Sequence, residues 1–99
     1  MISMKIYKRG NDVLIGACDT KLIGKKFEEG KFQLDVKKEF YGGEKISPEI
    51  FKKYLKDVTI ANLVGEETIK CAIEAGLIDP DCIIKIKGIP HAQMIRMLT

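Results

Sequence analysis

Between two strand-like runs the chain carries the pair Ser47-Pro48, which limits the folds open to it more than any other feature. A serine oxygen accepts one of the orphan N–H groups at a helix start, and proline at the first helical position gives up no intrahelical hydrogen bond. A helix therefore opens at residue 48. Ile50, Phe51, Tyr54, Leu55 and Val58 follow at the spacing of one apolar face, with Lys52, Lys53 and Lys56 elsewhere on the surface. Such a stripe must be buried against another layer, and the flanking segments FQLDV (32–36) and DVTIANLV (57–64) have strand character. The pattern predicts an α+β fold.

The remaining segments extend this expectation. MKIYKRG and DVLIGAC read as two strands joined around Gly10-Asn11-Asp12, because Gly and Asn tolerate positive φ. Ile6 and Tyr7 take opposite faces of the first; in the second Val13 and Ile15 share a face and Leu14 takes the other. Asp19 is read as the N-cap of a helix over KLIGKKFEE, with Leu22, Ile23 and Phe27 on one side and Gly30 as its stop. In FQLDV, Phe32, Leu34 and Val36 share a face. The polar run KKEFYGGEKIS is read without regular structure, and Tyr41-Gly42-Gly43-Glu44 as a turn. After Gly65, the segment EETIKCAIEAGL is a helix with Ile69, Ala72, Ile73 and Leu77 inward and Gly76 as its end. Asp79-Pro80-Asp81 turns the chain into the strand CIIKIKG, which Gly88 closes. The tail IPHAQMIRMLT fits either a strand or a short helix opened by Pro90 with Met94, Ile95 and Leu98 toward the core. The sum is a single compact domain over residues 1–99, a mixed sheet of roughly five strands and about three helices.

Composition sets the outer limits. At 99 residues there is room for one core, and a chain this short buries only about 60 to 68% of its unfolded surface. With 45% hydrophobic against 31% charged residues, disorder is disfavoured. No stretch has the length of a membrane span and the N-terminus has no secretory pattern, so the expected location is cytoplasmic, away from membranes. Cys18, Cys71 and Cys82 cannot all pair with one another and are too widely spaced, even with His91, for a compact zinc knuckle. They are expected to be inert packing residues in a reducing compartment, and neither a metal nor a cofactor is implied.

The net charge of +3 does not by itself announce a polyanion-binding protein, but its distribution is uneven. Residues 1–26 hold Lys5, Lys8, Arg9, Lys21, Lys25 and Lys26 against Asp12 and Asp19. Lys8 and Arg9 beside the hairpin turn, with Lys25 and Lys26 beyond it, are candidate phosphate contacts; ordinary solvated charge is the plainer reading. Tyr41-Gly42-Gly43 offers a stacking ring and close backbone approach, and a special-angle turn is the alternative; it lacks the continuation of a nucleotide-binding P-loop. Asn62 and Gly65 stand at a strand-to-helix transition where α/β folds place ligands, although Glu66 and Glu67 compete with any phosphate there. His91, the sole histidine, with Gln93 and Arg96 forms a fourth candidate for base or phosphate contact, against a structural role. No catalytic residues emerge.

The segments MKIYKRG, FYGGE, TIANLVGEE, AIEAGLI and GIPHAQMIRM together resemble a small archaeal family of unknown function described as predicted RNA-binding proteins, along the whole chain. The resemblance implies RNA contact, with RNA or a ribosomal component as partner and a place around the translation machinery. Lys8, Arg9, Lys25, Lys26 and Arg96 would then draw phosphates, while Tyr41, Asn62, His91 and Gln93 add stacking or polar base contacts. Two other classes compete: a non-catalytic protein-interaction module, which calls for a shallow apolar patch, and a small enzyme acting on a phosphorylated substrate, less favoured, which needs one deep pocket uniting His91, Asn62 and a glycine-rich anion nest.

Overall fold

The computed structural model describes residues 1–96. Strands β1 (Ile2–Arg9) and β2 (Asp12–Asp19) form a hairpin through Gly10 and Asn11, in which Arg9 stands opposite Asp12 and Tyr7 opposite Leu14. Gly10 sits at φ +59°, which the tight reversal requires. A 3-10 turn (Thr20–Leu22) leads to the small hairpin β3 (Lys26–Glu29) and β4 (Phe32–Asp35). Then come the short helix α1 (Lys38–Tyr41), β5 (Glu44–Ile46), α2 (Pro48–Tyr54), β6 (Ile60–Val64), α3 (Glu66–Glu74), β7 (Ile84–Ile86) and β8 (Ile89–Ile95).

Six strands make one mixed sheet in the order β5-β1-β2-β6-β8-β7, and β3-β4 is a separate pair. Within the large sheet only β2 and β6 run parallel. Alternation sorts the side chains into two layers. Ile2, Met4, Ile15, Ala17, Ala61, Leu63 and Ala92 face α2 and α3, where they meet Phe51, Leu55, Ile69 and Ala72. On the other face Cys18, Val64 and Ile86 are covered by Leu22, Leu34, Val36 and Tyr41, supplied by the 3-10 turn, the small hairpin and α1. This second cover is incomplete: Leu14, Ile60 and Asn62 on the same face stay half-buried, and Ile95 is 73% exposed.

The α+β class and the mixed sheet stand, as do α2 and α3. Ser47 Oγ accepts from Ile50 N as its sequence position promised, and Gly76 (φ +72°) closes the turn after α3, where Leu77 N donates to Ala72 O. The expected helix over residues 21–29 is not formed. Gly24 adopts φ +81° and the following residues extend into β3, where Phe27 stands opposite Leu34 and Gly30 (φ +60°) serves as a hairpin turn rather than a helix stop. Cross-strand packing has overridden a weak helical pattern. The polar run after β4 holds both α1 and β5, and with β3 and β8 the described residues form eight strands against the expected five. The tail is a strand, since Lys87 (φ +54°) and Gly88 (φ +77°) turn β7 back into β8; Leu98 lies outside the described residues. Phe32, placed with Leu34 and Val36 on an apolar face, is 58% exposed at the edge of the small hairpin.

Candidate nucleic-acid interface

The uncovered part of the sheet forms a groove of about 500 Å³ lined by Tyr7, Lys8, Arg9, Asp12, Leu14, Phe40 and Ile60. Its floor is made by Leu14 of β2 and Ile60 of β6, which are register partners. Its wall is aromatic: the Tyr7 and Phe40 rings stack at 5.5 Å and 16°, and Phe40 meets Tyr41 edge-on at 4.8 Å. Phe40 reaches this position because Gly16 lies beneath it; a Cβ on Gly16 would stand 2.6 Å from the Phe40 ring. The wall is fixed to β1 by polar contacts. Tyr7 Oη lies 3.1 Å from both Glu39 O and Phe40 O and shares its one proton between them, and Lys5 Nζ donates to Glu39 O at 3.0 Å while lying 5.7 Å from the Tyr7 ring centroid. Burial raises the Tyr7 phenol above its ordinary pKa, so it stays a neutral donor.

The rim carries the charge. Arg9 and Asp12 face each other at the hairpin end without an ion pair, and both are exposed. Asp12 Oδ1 lies 3.1 Å from Thr59 Oγ1, a buried hydroxyl that itself accepts from Val13 N at 2.9 Å. The groove thus combines an apolar floor, an aromatic side and one fixed carboxylate opposite a free guanidinium. This combination suits a flat, partly charged ligand.

A second groove of about 380 Å³ opens on the same sheet face and is lined by Phe32, Gln33, Cys82, Ile84, Ile86, His91, Ala92 and Gln93. His91 Nδ1 lies 3.1 Å from Leu63 O, and since a carbonyl only accepts, Nδ1 carries the proton and Nε2 is left as the acceptor. Burial lowers the His91 pKa, partly opposed by this hydrogen bond, so the ring is neutral at pH 7. Asn62 bridges the two grooves in register, with Gly16 on one side and Gln93 on the other.

Residues 7–97 match the family described as protein of unknown function (DUF424). The chain belongs to that family. The DUF424 chain is also similar to a solved structure, the crystal structure of an uncharacterized conserved protein from Methanopyrus kandleri, with a TM-score of 0.80 and 26% identity over 99% of this chain and 95% of that one. No curated protein matches it.

Of the twelve residues picked from the sequence of this DUF424 chain, Arg9, Asn62, His91 and Gln93 come to the open face, whereas Lys8 borders the first groove at the hairpin end but alternates with Ile6 and Val13 onto the helix side. The others do not join them. Tyr41 is buried at 7% exposure in the second core layer, with its phenol pushed up to about 12 by burial and the neighbouring Cys18, so its ring cannot take a base. Gly42 and Gly43 serve packing: a Cβ on Gly43 would overlap the Met4 carbonyl. Gly65 (φ +107°) presses against the Asp19 carboxylate, which accepts from Thr68 N at 2.8 Å, Thr68 Oγ1 at 2.9 Å and Glu67 N at 3.2 Å. The N-terminus of α3 is therefore filled by the chain's own carboxylate, and Asp19 caps this helix instead of the one expected after it. Lys25 and Lys26 belong to the start of the small hairpin, Lys26 lying 4.0 Å from Glu28, and Arg96 donates its backbone N–H to Thr59 O beyond β8. His91 and the Gly42-Gly43 pair do not share a pocket.

Tyr7, Phe40, Asp12, Leu14 and Ile60 were not singled out. A signal existed for Tyr7 and Leu14, whose side chains alternate onto the face opposite Ile6 and Ile15. Phe40 gave none, because its placement depends on a glycine in a distant strand. Cys18 and Cys71 are buried and Cys82 is exposed; the Cys18 thiol is pushed up to about 12, by burial and then by Asp19, which leaves it unreactive. Among the described residues no group of three or more His, Cys, Asp or Glu can hold a metal, and no helix is long and apolar enough to cross a membrane.

Proposed function

We propose that this protein binds single-stranded RNA on the open sheet face, in the cytoplasm and around the translation machinery. The observation that carries the reading is the Tyr7–Phe40 pair walling an open groove whose rim holds the exposed Arg9. Unstacked bases gain about 1 to 3 kcal/mol from an aromatic platform, while guanidinium and ammonium groups hold the backbone. The second groove continues the path with Asn62, Gln93 and the neutral His91, which present both donors and acceptors to base edges. With a net charge of only +3 and few cations on the face, the expected affinity is modest and its salt dependence shallow.

The test is fluorescence anisotropy with short single-stranded and duplex RNAs at low salt. Single strands are expected to bind more tightly than duplex, and Lys8→Glu with Arg9→Glu to weaken single-strand binding at least tenfold with the circular dichroism spectrum unchanged. Equal, undetectable binding of both RNAs by the wild-type chain would remove the proposal. A protein-docking reading has one observation in its favour: Phe32 and Ile84 leave apolar surface exposed at the second groove.

A further inference from the structure

We infer that the Tyr7–Phe40 groove prefers guanine among the RNA bases, with Asp12 as the residue that reads it; this rests on the RNA reading above. Two opposite charges stand at the rim. Arg9 and Asp12 are register partners at the end of the β1–β2 hairpin and make no ion pair among the described residues, which leaves each open to a ligand. The carboxylate is also held in place. Its Oδ1 lies 3.1 Å from the buried Thr59 hydroxyl, whose single proton has Val13 O at 3.3 Å as its other acceptor, and Thr59 is tied to β2 through Thr59 N to Val13 O at 2.9 Å and to the end of β8 through Arg96 N at 2.7 Å. Oδ2 has no hydrogen-bond partner among the described residues, and a carboxylate offers about four lone-pair sites.

An ionised carboxylate only accepts, so it selects a base edge by its donors. The Watson–Crick edge of guanine carries two adjacent donors, N1–H and N2–H2, which match the two carboxylate oxygens side by side. Adenine and cytosine present one donor group next to an acceptor, and uracil one donor between two acceptors, which the carboxylate repels. The groove fits the rest of the nucleotide: a purine lies against Leu14, Ile60 and the Phe40 ring, while the long Arg9 side chain, beside Asp12 at the hairpin end, reaches for the phosphate.

The test uses the full chain and four uridine heptamers that differ only at the central position, G, A, C or U, followed by anisotropy at low salt. The G oligomer is expected to bind about tenfold more tightly than the U oligomer, within the range of one good bidentate base contact. In the Asp12→Asn protein this ratio falls below threefold, and the lost negative charge raises affinity for the U oligomer. Equal affinity of the wild-type chain for all four oligomers, with Arg9→Glu weakening each of them, would overturn the guanine preference and leave RNA binding intact. Binding of none of them, with the chain folded, would overturn both. A guanine preference that survives in Asp12→Asn would place the selectivity elsewhere and also overturn the inference.

Discussion

At the scale of single residues, the decisive groups are those whose polar atoms have only one way to be satisfied. Asp19 is 4% exposed and accepts three hydrogen bonds at the head of α3. Asp19→Ala leaves the Thr68 N–H and hydroxyl buried without it, and is expected to cost about 2 kcal/mol, read as a lower urea midpoint with an unchanged slope. The sequence marked Asp19 as a cap but attached it to the segment that follows, because capping chemistry is visible in one residue while its helix lies 48 positions away. Tyr41 shows the opposite limit: its ring suits stacking, and only the fold reveals that it is spent in the core. His91 yields a pH prediction. Its folded pKa is lowered from 6.5, mainly by burial, so the folded state resists protonation that the unfolded chain accepts. The stability it contributes is complete above pH 6.5 and is lost as pH falls through the folded value. Urea midpoints are expected to drop on acidification from about pH 6.5 to about pH 5, above the range of ordinary carboxylates. In His91→Gln that part of the slope should flatten; an identical slope would assign it to other groups.

At the scale of elements, local signals were sufficient where a cap and an apolar stripe agreed, and failed where pairing decided. α2 carries Ser47-Pro48 and buries Phe51, with Leu55 buried in the 3-10 turn that follows, whereas Ile50 and Tyr54 of the expected stripe are 46% and 42% exposed; a cap and a narrower stripe specify the helix. Residues 21–29 carried a cap-like residue and a partial stripe, but β3 gains its partner from β4, and Phe27 opposite Leu34 has no expression at helical spacing. The helix α1 has only four residues, too few to be stable alone, and is held by groups of β1 rather than by its own propensity. Tyr7 Oη and Lys5 Nζ take the carbonyls at its end. Tyr7→Phe keeps the stack with Phe40 but removes the phenolic donor, an expected loss of about 1 kcal/mol. Amide exchange at Tyr41 and Gly42, whose N–H groups close α1, should then quicken about fivefold while β2 and β6 keep their protection. Tyr7→Ala removes the ring as well and is expected to free α1 further and to weaken RNA binding.

At the scale of the whole molecule, what matters is which charges share a face, and sequence proximity is a poor guide to that. Lys8, Arg9, Lys25 and Lys26 all lie in the first 26 residues, yet the chain distributes them. Arg9 and Lys8 end β1 beside the open groove, whereas Lys26 begins β3, and the small hairpin packs against β7. In the strand order β5-β1-β2-β6-β8-β7, β7 stands four steps from β1, about 19 Å at the usual strand spacing. The N-terminal excess of charge is therefore two separate features, and only one adjoins the aromatic wall. If RNA lies on that wall, Arg9, the cation on its face, releases about 0.7 counterion from a single strand, and the logarithm of the affinity should fall against the logarithm of salt with a slope of about −0.7. Lys8→Glu with Arg9→Glu is expected to bring that slope near zero, whereas Lys25→Glu with Lys26→Glu leaves it within a few tenths of the wild-type value. Anisotropy titrations at four salt concentrations separate the two. Equal loss of slope in both double variants would mean that the backbone runs over the small hairpin as well, and that the binding face is the whole covered side of the sheet rather than the groove beside β1.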